Sequence, residues 1–320
     1  MATPNRNQFR LPDFQAISKL PLLLNPLYNL MRVESTMWLE RLAAYAYPTA
    51  AHPELRTICD LTNCIFVFDE ITDEQTFDEA QHTAASYLGG LAGEACDGSV
   101  ISQMTCDIGE RLRARFGPNA FRRFLEHSEQ YVNEVVREAG LRERGEVLGL
   151  EEYKRFRRAT SSSRTQWDLY EYCFGFELPD EIVRDPVFVR MCDTAVDVVS
   201  WTNDAHSYDM EQAKGLSAAN ILTVIMNAKQ LPLQAAADYL AAEYTASMAH
   251  FMTDKAELVG RSYGKANNAN LLLYISGLEA WISGVIEWDF LSKRYFGERN
   301  EEVAETLIVP LTIPQLKAHL

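Results

Sequence analysis

The sequence predicts an all-α protein, and three observations carry that reading. Apolar residues recur at three- and four-residue spacing over long runs, and clear period-2 alternation bounded by turn residues is almost absent. Prolines fall where helices would begin, at positions whose backbone N–H has no intrahelical partner to lose. In chain order, the first helical run is Arg32–Ala46, followed by a stretch in which Ile58, Leu61, Ile65 and Phe68 share one face. Phe121–Ala139, Pro186–Asp204, Leu233–Met252 and Asn270–Leu291 complete the set, and Pro48, Pro53, Pro118, Pro179, Pro186 and Pro232 sit at or near helix starts. Neither a solenoid-length repeat nor a low-complexity linker divides the chain. One domain of roughly ten or more helices is therefore expected, some of them buried on every side.

Asn270–Leu291 is long and apolar enough to suggest a membrane span. It carries Glu279, Glu287 and Asp289, each costing about 2.5–3.5 kcal/mol near a bilayer centre. A helix buried inside the protein, with no membrane insertion, is the reading that follows.

Composition narrows the function. Of 320 residues, 47% are hydrophobic and 23% charged, the balance of a globular protein able to bury a sizeable core. Lys and Arg number 30 against 45 Asp and Glu, a formal charge of −15. That excess argues against nucleic acid and against anionic membrane surfaces, both of which need clustered cations. Phosphate ligands stay open if metal ions mediate. The six cysteines show no C-x-x-C pair and no disulfide-scaffold spacing, so they read as reduced thiols. With the polar stretch Met1–Arg10 in place of an apolar leader, a cytoplasmic protein is expected.

Charge is unevenly spread. Between Thr57 and Glu110 lie eleven acids and not one Lys or Arg, whereas five of the eleven residues Lys154–Arg164 are basic. A solvated acidic face accounts for this as well as a cation site opposite an anion-binding segment does.

Within the acidic region, Asp69, Glu70 and Asp73 follow the apolar helix of Ile58–Phe68. Asp69 and Asp73 lie about 40° apart around a helix and face the same way, with Glu70 beside them. Carboxylates at the end of an apolar helix are costly unless compensated, and hard cations such as Mg²⁺ compensate them with oxygen ligation. A calcium loop fails, because Glu74 occupies the place of its turn glycine. A frayed acidic helix end facing water remains the competing reading. Downstream, Asn203, Ser207 and Glu211 fall at i, i+4 and i+8 and drift only about 80°, so three oxygen donors share one face. Val196, Val199 and Ser200 precede them on that face and suit the wall of an apolar cavity; an exposed polar run is the alternative.

The Asp69-Glu70-x-x-Asp73 and Asn203-Asp204-x-x-Ser207-x-x-x-Glu211 segments, 134 residues apart, resemble the two metal-binding motifs of class I terpene synthases. Other landmarks are similar to the fungal and bacterial sesquiterpene synthases of that family. Phe9-Arg10-Leu11-Pro12-Asp13 and Asn25-Pro26-Leu27-Tyr28 resemble their opening, and Arg157, 46 positions before Asn203, matches their diphosphate-sensing arginine better than Arg158 does. Thr160 and Ser161 resemble the linker and effector positions at a helix break, and Arg294-Tyr295 resembles the family's Arg-Tyr pair. Two departures stand out: Glu70 replaces a second Asp, and Met210 replaces a Lys whose diphosphate contact Lys214 can supply.

The resemblance implies one α-helical domain over residues 1–320, a bundle around a central apolar cavity, with residues 1–30 packing over the active-site side. It implies Mg²⁺-dependent ionisation of a prenyl diphosphate, with farnesyl diphosphate favoured by chain length, and cyclisation to a sesquiterpene. Three Mg²⁺ ions, or Mn²⁺ in their place, would be held by Asp69, Glu70, Asp73, Asn203, Ser207 and Glu211. Arg157, Arg294, Tyr295 and Lys214 would bind diphosphate, and Asp73 could pair with an arginine instead of a metal. Phe66, Trp288, Trp281, Val199 and the Cys173–Phe174 turn are candidate walls for the carbocation, and each aromatic could equally be core packing. A homodimer is compatible with the resemblance. His206 reads as a bystander. The enzymatic rival is a prenyl-chain-elongating diphosphate synthase, which needs a second aspartate-rich motif that Asp193–Asp197 does not supply. The other rival is a non-catalytic helical interaction protein retaining the fold.

Overall fold

A computed structural model describes residues 7–34, 39–94 and 96–312. A short strand β1 (Gln8–Arg10) leads into α1 (Phe14–Ser18), α2 (Tyr28–Glu34) and α3 (Leu39–Ala46). Then come α4 (His52–Thr72), α5 (Phe77–Ala92), α6 (Val100–Arg113) and α7 (Pro118–Arg144). The second half holds α8 (Leu150–Thr160), α9 (Ser163–Phe174), α10 (Asp180–Val183), α11 (Pro186–Lys214) and α12 (Ile221–Lys229). It closes with α13 (Leu233–Val259), α14 (Lys265–Leu291), α15 (Asn300–Thr306) and β2 (Ile308–Pro310). The all-α expectation holds. The run expected over Arg32–Ala46 falls on α2 and α3, and residues 35–38 lie outside the described residues.

Local chemistry sets the helix ends. Pro53, Pro118 and Pro186 occupy the first turns of α4, α7 and α11, while Pro179 and Pro232 cap α10 and α13. Thr76 and Glu79 form a reciprocal capping box on α5. Gly215 ends α11 at φ +81°, a left-handed conformation that costs glycine nothing.

Packing follows from the apolar faces. Leu55, Ile58, Leu61, Ile65 and Phe68 of α4 are all buried, as the spacing predicts. α11 is enclosed over Ala195–Thr202 and packs on α13, α14 and α8. α14 is the one described helix long and apolar enough to cross a membrane, and 67% of its most apolar window is buried against the rest of the chain. It packs on α3, α9 and α11 as a core helix. At its crossing with α9, Gly277 lets the Tyr170 ring approach so closely that a Cβ would lie 2.1 Å from it.

Two features were not read from the sequence. β1 and β2 pair antiparallel with Phe9 opposite Val309, tying the described ends of the chain together. Three-residue strands are too short to show alternation. Cys96 and Cys106 are disulfide-bonded, which corrects the expectation of six reduced thiols. Ser99 caps α6, and Asp97 accepts the Ser99 N–H at 2.8 Å, so the chain doubles back and brings the two Cα atoms to 6.4 Å. Cys59, Cys64, Cys173 and Cys192 are buried and outside any disulfide. Burial pushes the thiols of Cys64, Cys173 and Cys192 up to about 12, so they are unreactive packing groups.

Candidate active site

A cavity of about 220 Å³ lies between α4, α7, the α8–α9 break, α11 and α14. α4 contributes Phe66, Asp69 and Glu70, with Asp73 capping its end; the break contributes Thr160 and Ser161, with Arg157 one turn earlier. α11 supplies Asn203, Ser207, Glu211 and Lys214, and α14 with the following turn supplies Trp288, Arg294 and Tyr295. All fourteen residues singled out from the sequence therefore line one space. Trp281 and Val199 line it too. The Cys173–Phe174 turn does not: it lies at the far end of α9, where Arg115 donates to the Cys173 carbonyl at 3.1 Å.

On the α4 wall, burial raises the Asp69 carboxyl to about 7, opposed by a hydrogen bond from the Tyr131 hydroxyl and reinforced by Asp73. Glu70 reaches the rim and accepts from Arg294 Nη1 at 2.9 Å. The Arg294 guanidinium lies 5.0 Å from the Phe66 ring centroid, and Trp288 meets the same ring edge-on at 5.8 Å. Asp73 faces Arg142 at 3.7 Å; burial raises its pKa and Arg142 opposes the shift.

On the opposite wall, Asn203 accepts from Arg157 Nη2 at 2.9 Å and donates to the Tyr295 hydroxyl at 2.8 Å. Arg157 Nε donates to buried Asp204 at 2.9 Å, and Asp204 also accepts from Tyr153 at 2.6 Å. Burial works against the Arg157 charge, yet Asp204, Tyr153 and Glu138 outweigh it and hold the guanidinium protonated. Glu211 is pushed up to about 7 by burial and by Asp204, with hydrogen bonds from Ser207 and Asn220 opposing. His206, inside this motif, faces away from the cavity and places Nδ1 2.7 Å from buried Asp289. At the break, Ser162 adopts φ +55°, the Ser162 hydroxyl donates to the Ser161 carbonyl at 2.6 Å, and the buried Thr160 hydroxyl has no partner.

Sequence reasoning missed Glu138. Its carboxylate lines the cavity and is raised to about 8 by burial, with Arg157 opposing and Asp73, Asp69 and Glu211 reinforcing. Glu138 shares the α7 face of Tyr131, Val135 and Arg142, but with Arg142 also charged on that face no signal in the sequence set it apart. The basic segment also behaves differently from the sharper expectation. Of Lys154, Arg155, Arg157, Arg158 and Arg164, only Arg157 lines the cavity. Lys154 pairs with Glu243, and Arg158 and Arg164 pair with α11 acids behind the break.

The donor set suits a hard divalent cation. Carboxylates of Asp69, Glu138 and Glu211 sit in a space where burial raises each of them and where Asp69 and Glu211 add to the shift of Glu138, and amide and hydroxyl oxygens line the same space. Among the described residues, no three His, Cys, Asp or Glu side chains converge on one metal position. A shell here needs water or substrate oxygens to complete it, which is how Mg²⁺ binds.

An all-α bundle around a cavity lined by oxygen-bearing side chains of α4 and α11 has the class I terpenoid-synthase fold. Residues 60–250 match the family model described as terpene synthase family 2, C-terminal metal binding, and the chain belongs to the terpene synthase family. It is 36% identical over 328 residues to a Coprinopsis cinerea protein named Linoleate 10R-lipoxygenase COP4, spanning 96% of this chain and 94% of that one. Sesquiterpene synthase Agr5 of Cyclocybe aegerita is 35% identical over 330 residues, spanning 96% of this chain and 76% of its own. Among solved structures, a-eudesmol synthase superposes with a TM-score of 0.76 at 20% identity, over 85% of this chain and 97% of its own, a likeness of fold.

Proposed function

We propose that this chain ionises farnesyl diphosphate in a Mg²⁺-dependent reaction and cyclises the carbocation to a sesquiterpene, releasing diphosphate as a carbon–oxygen lyase. The observation that carries this reading is the placement of Asp69 of α4 and Asn203 of α11 along one cavity, with Arg157 in the same space and bonded to Asn203. Family membership and the sesquiterpene synthases among its relatives support the substrate class.

Asp69, Glu70 and Asp73 would hold Mg²⁺ on one wall and Asn203, Ser207 and Glu211 on the other, with Glu138 facing both. Bound there, the ions supply Lewis-acid stabilisation of a diphosphate leaving group. The chain's own cations complete the anion site. Arg157, Lys214, Arg294 and Tyr295 line the same space, and Arg157 exchanges Asn203 and Asp204 for diphosphate oxygens. The allylic carbon–oxygen bond breaks with its electron pair on the diphosphate, so no protein nucleophile is needed. Phe66 and Trp288 then present ring faces to the carbocation, each contact being worth ~0.5–2 kcal/mol when dry. Thr160 and Ser161 place a hydroxyl and a carbonyl dipole at the break, within the same wall. The apolar residues Ile65, Val199 and Val285 keep water from quenching the cation.

The chain acts as a single domain in the cytoplasm. The described residues 7–30 of the segment expected to cover the cavity do not line it, and Phe14 packs on His206, on the face of α11 turned away from it, while residues 1–6 lie outside the described residues. Among the described residues no histidine lines the cavity, so its described walls offer no two-histidine, one-carboxylate set for iron. The test is turnover of farnesyl diphosphate by the Asp69→Ala and Asn203→Ala variants. Loss of product in folded variants supports the reading, and full activity in both refutes it.

A further inference from the structure

We infer that Asp193 is a positioning residue that staples the α8–α9 break from behind and so sets the contour of the cavity wall that decides the product ratio. The inference rests on the cyclase reading above.

Asp193 and Asp197 are the acid pair that does not supply a second aspartate-rich motif. Neither lines the cavity. The two oxygens of Asp193 instead serve two different helices: Oδ2 accepts from Arg158 Nη1 of α8 at 3.1 Å, and Oδ1 accepts from Arg164 Nη2 of α9 at 2.5 Å. Asp197 binds the other edge of Arg158, at 2.8 Å to Nε and 2.7 Å to Nη2. One carboxylate on α11 thus joins the last turn before the break to the first turn after it.

The break needs such a restraint. Ser162 holds a left-handed conformation that non-glycine residues adopt uncommonly. Three of its local hydrogen bonds are long: Ser162 N to the Ala159 carbonyl at 3.4 Å, Ser163 N to Ser161 Oγ at 3.3 Å, and Ser161 Oγ to the Arg158 carbonyl at 3.3 Å. Behind it lies a second cavity of about 440 Å³, lined by Arg158, Ser162, Arg164 and Asp193. Ser162 lines both cavities, so at this point the wall is one residue thick and lacks the close packing that normally fixes a backbone. Thr160–Ser163 face the reaction space on one side and the staple on the other. Asp193 acts through them without touching substrate.

The experiment compares the full chain with Asp193→Asn, with Arg164→Gln, which cuts only the α9 arm, and with Asp254→Asn. The last removes a bidentate contact to Arg190, and neither partner lines either cavity. The readouts are product ratio and steady-state kinetics with farnesyl diphosphate and Mg²⁺, and hydrogen exchange at residues 160–165 without substrate. Asp193→Asn and Arg164→Gln are expected to change the product ratio by at least about twofold, to lower kcat by about 10- to 100-fold with KM within about threefold, and to speed exchange at the break. Asp254→Asn is expected to lower Tm with the product ratio unchanged. Wild-type ratio and exchange in both staple variants overturn the inference, as does an equal change of ratio in Asp254→Asn. If the wild-type chain does not turn over farnesyl diphosphate, the cyclase reading fails on its own, and unchanged exchange at the break still overturns the staple.

Discussion

Arg157 is the one side chain of the basic segment that enters the cavity, and it is bound to the α11 wall. Its guanidinium is held by Asn203 and Asp204 at 2.9 Å each, in a planar fork that a lysine cannot reproduce. Arg157→Lys is expected to lower kcat by about 10²–10³-fold, the cost of removing one preorganised donor from a developing anion, and steady-state kinetics checks it. Titration gives a second prediction. Glu138 is raised to about 8, and Asp69 and Glu211 to about 7, all above their unfolded values. Between about pH 4.5 and 8 the folded chain therefore binds more protons than the unfolded one, and stability falls as pH rises. In EDTA, Tm at pH 8 is expected to lie below that at pH 5.5 by about 2 °C or more, on the order of 1 kcal/mol. Glu138→Gln should flatten the upper part of that slope, and thermal scans at both pH values check it. The fourteen site residues were legible because two oxygen-bearing motifs and an arginine kept a recognisable order along the chain. Glu138 was not, since one acid in a charged amphipathic helix is indistinguishable from a solvated one until its neighbours are known.

At the scale of elements, the α9–α14 crossing depends on the absence of a Cβ at Gly277. Tyr170 packs into that gap and donates to the carbonyls of Ala46 at 2.8 Å and Gly277 at 2.6 Å. Gly277→Ala is expected to destabilise by about 1–3 kcal/mol through overpacking, read as a lower denaturant midpoint. The Cys96–Cys106 link closes a short loop between α5 and α6 and contributes about 2–3 kcal/mol on a chain-entropy account. Alkylation in denaturant should label four cysteines without reductant and six with it; six in both would remove the link. Long helices such as α7, α11, α13 and α14 were readable from periodicity. The Ala- and Gly-rich sequence of α5 offers little contrast between faces. The disulfide depends on a tight turn that spacing alone does not show.

For the whole molecule, the uneven charge takes on a geometric sense. The acidic stretch delivers Asp69 and Asp73 to one wall, whereas the basic stretch sends only Arg157 inside and spends its other pairs docking α8 and α9 onto α11 and α13. The bundle thereby sets a row of acids on one side of the cavity and a single arginine of the basic stretch at the α8–α9 break. Its class was readable in the sequence because fold and chemistry share the same residues. The depth of the cavity and the void behind the break were not, because both depend on how helices far apart in the chain cross. The most direct test of this account is gas chromatography–mass spectrometry of the volatile products from the purified chain with farnesyl diphosphate and Mg²⁺. The account predicts a cyclic sesquiterpene hydrocarbon or alcohol, formed with release of diphosphate and abolished by EDTA. The same yield in EDTA, or no volatile product with Mg²⁺ present, contradicts it.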